Sequence, residues 1–171
     1  RGGARASARL RHARPMNLAR YLSEERIDLD LDARFDDEHP ATLESVVEAM
    51  VDLLQRGADI VNASKLRTDL AQRERRAPSL LGHGVALPHV RTLQARRLVL
   101  AVGLSRKGLP LATPDDVPLR LVIAIVGPPY DDKAYLAAYR VLGERLENPA
   151  WVEALLASHV PGEVLRALTS G

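Results

Sequence analysis

The sequence predicts an α/β fold: a single layered domain in which a mixed β-sheet carries helices on both faces. Leu98 to Leu104 and Leu119 to Val126 are nearly continuous apolar runs, the pattern of strands buried on both sides. Helical periodicity stands before and after these runs, so helices are available to cover both faces. After residue 16 there is neither an internal repeat nor a Gly/Ser linker, which makes residues 16–171 one unit.

The elements follow in chain order. Residues 1–15 hold five arginines (Arg1, Arg5, Arg9, Arg11, Arg14) and no acid, and read as a basic, disordered extension or as residues upstream of a true start at Met16. Asn17 to Ser23 suit a short first turn, and the alternation of Ile27-Asp28-Leu29-Asp30-Leu31 suits a strand. A helix then starts at a Thr42 cap, places Leu43, Val46, Val47, Met50, Leu53 and Leu54 on one side, and stops at Gly57. A second helix is expected from Ser64 to about Arg75, with Leu66 and Leu70 inward and Arg73, Arg75 and Arg76 complementing the dipole at its end. Val85-Ala86-Leu87 is a short buried strand. The turn-prone segments Lys107-Gly108 and Thr113-Pro114-Asp115-Asp116 separate the two long strands. A long helix is expected from Asp131 to Glu147, with Leu136, Tyr139, Val141, Leu142 and Leu146 on its apolar side. Asn148-Pro149 opens the next helix and Pro161-Gly162 the last.

Composition narrows the chemistry. With 171 residues, 46% apolar and 27% charged, the chain can bury a core without disulfides or a structural metal. It has no cysteine, which excludes disulfide frameworks, thiolate zinc sites and cysteine nucleophiles, and suits a reducing cytoplasm. No apolar stretch approaches the roughly 18 residues of a membrane-spanning helix, so no membrane insertion is expected. Outside the basic tail, 19 basic and 22 acidic residues leave the body at −3, and six aromatics offer few stacking platforms, so the body is not expected to bind nucleic acid.

The five histidines separate by context. His12 is in the tail, His39 in an acidic turn and His159 between two helices. His83 and His89 share the octapeptide Gly82-His83-Gly84-Val85-Ala86-Leu87-Pro88-His89. Its glycines permit unusual dihedrals, its apolar triplet commits the chain to a buried strand, and Pro88 ends that strand, which presents His89 at a rim. An imidazole there can serve as acid, base, ligand or covalent nucleophile. The paired-ligand spacings of metal sites, the GxSxG elbow and the phosphate-binding P-loop are all missing, so no metal or cofactor is expected. On residue chemistry alone, His89 either carries a group itself or has no chemical role.

The octapeptide, preceded nine residues before Gly82 by Arg73-Glu74, resembles the phosphorylation-site region of the type-2 IIA domains of the bacterial phosphotransferase system, the mannitol/fructose and nitrogen-related group. The likeness runs over about residues 16–170 and includes Asn17-Leu18-Ala19-Arg20-Tyr21-Leu22, the strand ending in Gly127-Pro128, and the terminal Ala/Leu-rich helices. The resemblance implies a phosphotransferase component in which His89 accepts a phosphoryl group from an HPr-like phosphocarrier protein. It then passes the group to a IIB domain or uses it as a mark on a regulated transporter or enzyme. It also implies that Arg73 stabilises the phosphate. Tyr135 stands where such domains often have a second histidine, as a possible donor to phosphate; Val90 replaces a glycine, and Pro78-Ser79-Leu80 a Ser-Thr-Gly. His83 is expected to be a neighbour that tunes the pocket. Leu80, Leu81, Leu87 and Val90 are expected to form an apolar rim for partner proteins. Two other readings stay open: a regulatory binding module, and a degenerate IIA-like domain without phosphotransfer.

Overall fold

A computed structural model describes residues 16–169; the expectations for the basic tail lie outside them. Six strands form one mixed sheet: β1 (Ile27–Asp28), β2 (Leu80–Gly82), β3 (Val85–Ala86), β4 (His89–Arg91), β5 (Val99–Leu109) and β6 (Leu119–Gly127). The order is β1-β5-β6-β3-β2, with β4 also against β6. The helices are α1 (Leu43–Leu54), α2 (Ala63–Arg76), α3 (Asp132–Leu146), α4 (Pro149–Leu156) and α5 (Pro161–Thr169). Among the described residues no helix is long and apolar enough to cross a membrane.

The two apolar runs are the centre of the sheet. All of Val99 to Leu104 except Gly103, and Leu121 to Val126, lie at 0% exposure, which a strand reaches only when both faces are covered. One face packs into a cluster with Tyr135, Ala138 and Leu142 of α3 and with α4 and α5; the other packs with α1 and with Leu66 and Leu70 of α2. The layered architecture is the one expected. Thr42 caps α1 by accepting from the Ser45 amide at 3.1 Å, and Asn62 caps α2 by accepting from the Lys65 amide at 2.9 Å. Asn148 and Pro149 open α4 as anticipated.

Three expectations are corrected. The strand at 27–31 is only Ile27–Asp28, because the Asp28 carboxylate accepts from the Asp30 amide at 3.0 Å and turns the chain into a short 3₁₀ helix, Leu31–Arg34. Lys107-Gly108 is not a turn between strands but a bulge inside β5. Leu104 pairs with Leu121 and Leu109 with Leu119, so five steps on β5 oppose two on β6. Gly108 takes φ +85°, and Asp32 accepts from the Arg106 amide at 2.8 Å and the Lys107 amide at 3.2 Å in place of ladder partners. On α3 the buried stripe is Tyr135, Ala138 and Leu142, whereas Leu136 and Tyr139 are 55% and 39% exposed. Their spacing fits a stripe one position away from the one the sheet selects.

β3 and β4 are two pieces of one strand. Val85 pairs with Leu121 and His89 with Ile125, the same offset on β6, so no register is lost across Leu87-Pro88. Pro88 has no amide to give. The Leu87 amide turns away to the Ser79 carbonyl at 2.9 Å, and the Pro88 carbonyl accepts from the Ile125 amide at 2.9 Å. The break therefore frees the Leu87 carbonyl for another donor, just before His89.

Candidate functional site

His89 opens β4 at the carboxyl end of the parallel β3–β4–β6 pairing, the edge at which open α/β sheets bind ligands. Two helices converge on it. α2 brings Arg73 in its last turn, and α3 brings Tyr135 and Tyr139 one turn apart.

The imidazole is half-buried and both of its nitrogens have partners. Nδ1 lies 2.8 Å from the Leu87 carbonyl oxygen and 3.3 Å from Ser79 Oγ. Nε2 lies 3.0 Å from Arg73 Nη2. A carbonyl can only accept and a guanidinium can only donate, so the tautomer is fixed: Nδ1 carries the proton and Nε2 keeps a lone pair turned toward Arg73. Burial holds the His89 pKa below its usual 6.5, and Arg73 pushes the same way, against the Leu87 carbonyl and Glu74. The ring is thereby neutral at pH 7, with Nε2 unprotonated.

The sign of that shift makes a prediction. An NMR titration of His89 should give a midpoint below 6.5. Between that midpoint and 6.5 the unfolded chain binds the extra proton and the folded chain does not, so this group lowers stability as pH falls through the window. A midpoint above 6.5 would contradict the site's geometry.

Behind the ring stands a buried pair. Glu74 is 2% exposed and accepts from the Ser79 amide at 2.8 Å and the Ser79 hydroxyl at 2.6 Å. Ser79 Oγ, its proton given to Glu74, offers a lone pair to the imidazole Nδ1–H. Glu74 thus locks the Pro78-Ser79 turn that backs His89. Arg73 is braced as well, since its Nη1 donates to the Ala77 carbonyl at 2.7 Å. Tyr139 packs its ring 4.7 Å from the imidazole, tilted by 52°, and Tyr135 lies 6.5 Å away. Burial pushes the Tyr135 phenol up to about 12, against the pull of Arg91 and Arg73, so it remains a protonated donor at neutral pH.

The structure brings His89, Arg73 and Tyr135 together. It places His83 elsewhere, in the β2–β3 turn at φ +53°, its side chain 95% exposed and Nδ1 3.8 Å from Asp115 Oδ2. The expected rim is partly corrected. Leu87 is a core residue at 2% exposure, and Leu80 and Val90 pack against the α1–α2 side of the core. Leu81 is 48% exposed, but the apolar surface touching His89 is Tyr139. From the sequence, Glu74 and Ser79 had no part in the site, and Tyr139 was expected only on the apolar side of α3. The signal for Glu74 was present: Leu66, Leu70 and Glu74 recur every fourth residue, so the carboxylate ends the buried stripe of α2.

A family model described as "Phosphoenolpyruvate-dependent sugar phosphotransferase system, EIIA 2" matches residues 21–171. The fructose-specific EIIA component of Haloferax volcanii is 27% identical over 120 residues, covering 70% of this chain and 78% of that protein. The crystal structure of the nitrogen regulatory protein IIA-Ntr from Neisseria meningitidis superposes with a TM-score of 0.77 at 22% identity, covering 89% of this chain and 99% of that one. The mannitol IIA of Escherichia coli, solved in complex with phosphorylated enzyme IIB, gives a TM-score of 0.67 at 21% identity, covering 87% and 97%. These structural likenesses show a shared fold.

Proposed function

Since the chain belongs to the EIIA type 2 family of the phosphoenolpyruvate-dependent sugar phosphotransferase system, we propose that it is a phosphoryl carrier whose acceptor is Nε2 of His89. The observation that carries this reading is the fixed tautomer: Nδ1–H tied to the Leu87 carbonyl at 2.8 Å, and the Nε2 lone pair facing Arg73 Nη2 at 3.0 Å.

The transfer follows from those contacts. The donor is a phosphohistidine on an HPr-like phosphocarrier protein, as the resemblance in the octapeptide implies. As it docks, the Nε2 lone pair attacks phosphorus in line; the phosphorus–nitrogen bond to the donor breaks, its electron pair stays on the donor imidazole, which leaves neutral because its other nitrogen carries a proton, and the His89 ring becomes an imidazolium. Nδ1 keeps its proton and its bond to Leu87, so no proton must leave His89. Arg73 Nη2 shifts from the lone pair to the phosphoryl oxygens while Nη1 stays on Ala77, meeting the negative charge without a large rearrangement. Tyr135, protonated, can donate one further hydrogen bond but adds no charge. Tyr139 covers the imidazole face and excludes water. The phosphoryl group then passes to a IIB partner, as in the complex solved for the mannitol relative. All of this takes place in the cytoplasm.

Incubation with enzyme I, HPr and labelled phosphoenolpyruvate tests the reading. The wild-type chain is expected to take up label and His89→Ala to take up none. Equal labelling of the two would remove His89 from its role.

A further inference from the structure

Arg91 lies two residues after His89 on β4, and side chains two apart on a strand share a face. Its guanidinium carbon stands 5.7 Å from the centre of the Tyr135 ring, which itself lies 6.5 Å from the imidazole. Tyr135 therefore neighbours both His89 and a second cation, and its phenol feels both Arg73 and Arg91. Here Arg91 Nη1 donates to Asp132 Oδ1 at 2.5 Å, and the two side chains are 46% and 54% exposed. Asp132 is the first residue of α3, where the helix dipole stabilises a carboxylate even without a partner.

We propose that Arg91 is a second phosphate ligand: when His89 is phosphorylated, Arg91 leaves Asp132 for the phosphoryl oxygens, and Asp132 becomes a bare carboxylate beside the site. The proposal rests on His89 being the acceptor. Its driving force is a difference in partners. A solvent-exposed ion pair is worth little, whereas a phosphoryl group brings roughly −1.5 to −2 charges and three acceptor oxygens that fit a guanidinium fork. Arg73 offers the phosphoryl oxygens only one arm, because the other is held by Ala77, and Tyr135 adds no charge, so acceptor oxygens remain for a second guanidinium fork. The Tyr135 ring face gives the Arg91 cation a surface to slide along between its two partners. No proton moves and no bond other than the phosphorus–nitrogen pair changes. The loaded and empty states then differ in charge at the start of α3, which a partner protein can read.

The test is the equilibrium of each variant with phosphorylated HPr, followed as the phosphorylated fraction. Arg91→Gln should lower the equilibrium constant for loading by about tenfold, the loss expected of a charge-assisted hydrogen bond to phosphate, and Arg91→Lys should recover part of it. Asp132→Asn should raise the constant by about threefold, because Arg91 no longer has to leave an anion. Opposite signs separate exchange from a merely structural ion pair, whose two halves would lower loading together. An Arg91→Gln value equal to wild type, or an Asp132→Asn value at or below wild type, overturns the exchange if His89→Ala is unlabelled. Labelled His89→Ala overturns instead the acceptor assignment on which it rests.

Discussion

Arg73→Ala is expected to slow the phosphorylation of His89 by about 10²–10³-fold, the range found when one preorganised donor is removed from a site of developing charge. Among the described residues Arg73 is the arginine that touches the imidazole, and its second arm on the Ala77 carbonyl fixes where it points. The loss should fall on the rate of transfer within the docked complex rather than on affinity for the carrier, since the guanidinium meets its charge only as phosphorus arrives. Arg73→Lys should recover little, because a single ammonium cannot hold Ala77 and grip the phosphate together. Single-turnover transfer from phosphorylated HPr measures this. A loss below about threefold would mean that charge stabilisation comes from elsewhere in the site.

Gly84→Ala is expected to cost about 2–4 kcal/mol of stability, from a left-handed alanine and a backbone collision together. Gly84 has φ +75°, and a Cβ built on it would lie 2.7 Å from the Pro118 carbonyl oxygen. Its own carbonyl accepts from the Arg120 amide at 2.8 Å and the Leu121 amide at 3.0 Å, which fastens the β2–β3 turn to the start of β6. A shift there loosens the strand that leads into His89. Denaturant unfolding of the variant gives the cost directly; a change under about 0.5 kcal/mol, the usual range of an inconsequential surface substitution, would show that the turn relaxes freely.

The parts of the fold that could be read from the sequence are those whose signal is local. Thr42, Asn148 and Pro149 mark helix starts by their own chemistry, and the runs ending at Leu104 and Val126 declare burial on both faces. β2 and β4 could not be read in this way: three residues each, with β4 defined by pairing to Ile125, Val126 and Gly127 rather than by any pattern of its own. Lys107-Gly108 looks like a turn because glycine and a charged neighbour usually make one. Here Asp32, more than seventy residues away, satisfies the bulged amides and keeps the chain in the strand. Leu136 and Tyr139 were misplaced because periodicity gives a stripe but not its phase against a sheet.

The site divides along the same line. His89 is marked by the glycines and proline around it, and Arg73 by its resemblance-bearing place before the glycine turn. Ser79 and Tyr139 reach the imidazole from ten residues upstream and fifty downstream, and only the packing of α2 and α3 against β4 brings them there. Tyr135 could be placed by counting from Gly127-Pro128, yet its burial and its arginine neighbours belong to the folded chain.

In the proposed transfer, Nε2 of His89 takes the phosphoryl group while Nδ1 keeps its proton on the Leu87 carbonyl. Nitrogen–phosphorus coupling in the NMR spectrum of the phosphorylated, ¹⁵N-labelled protein reads this directly. Coupling between phosphorus and Nε2 of His89, with a slowly exchanging proton on Nδ1, is the predicted result; phosphorus on Nδ1, or on any other residue, would contradict it.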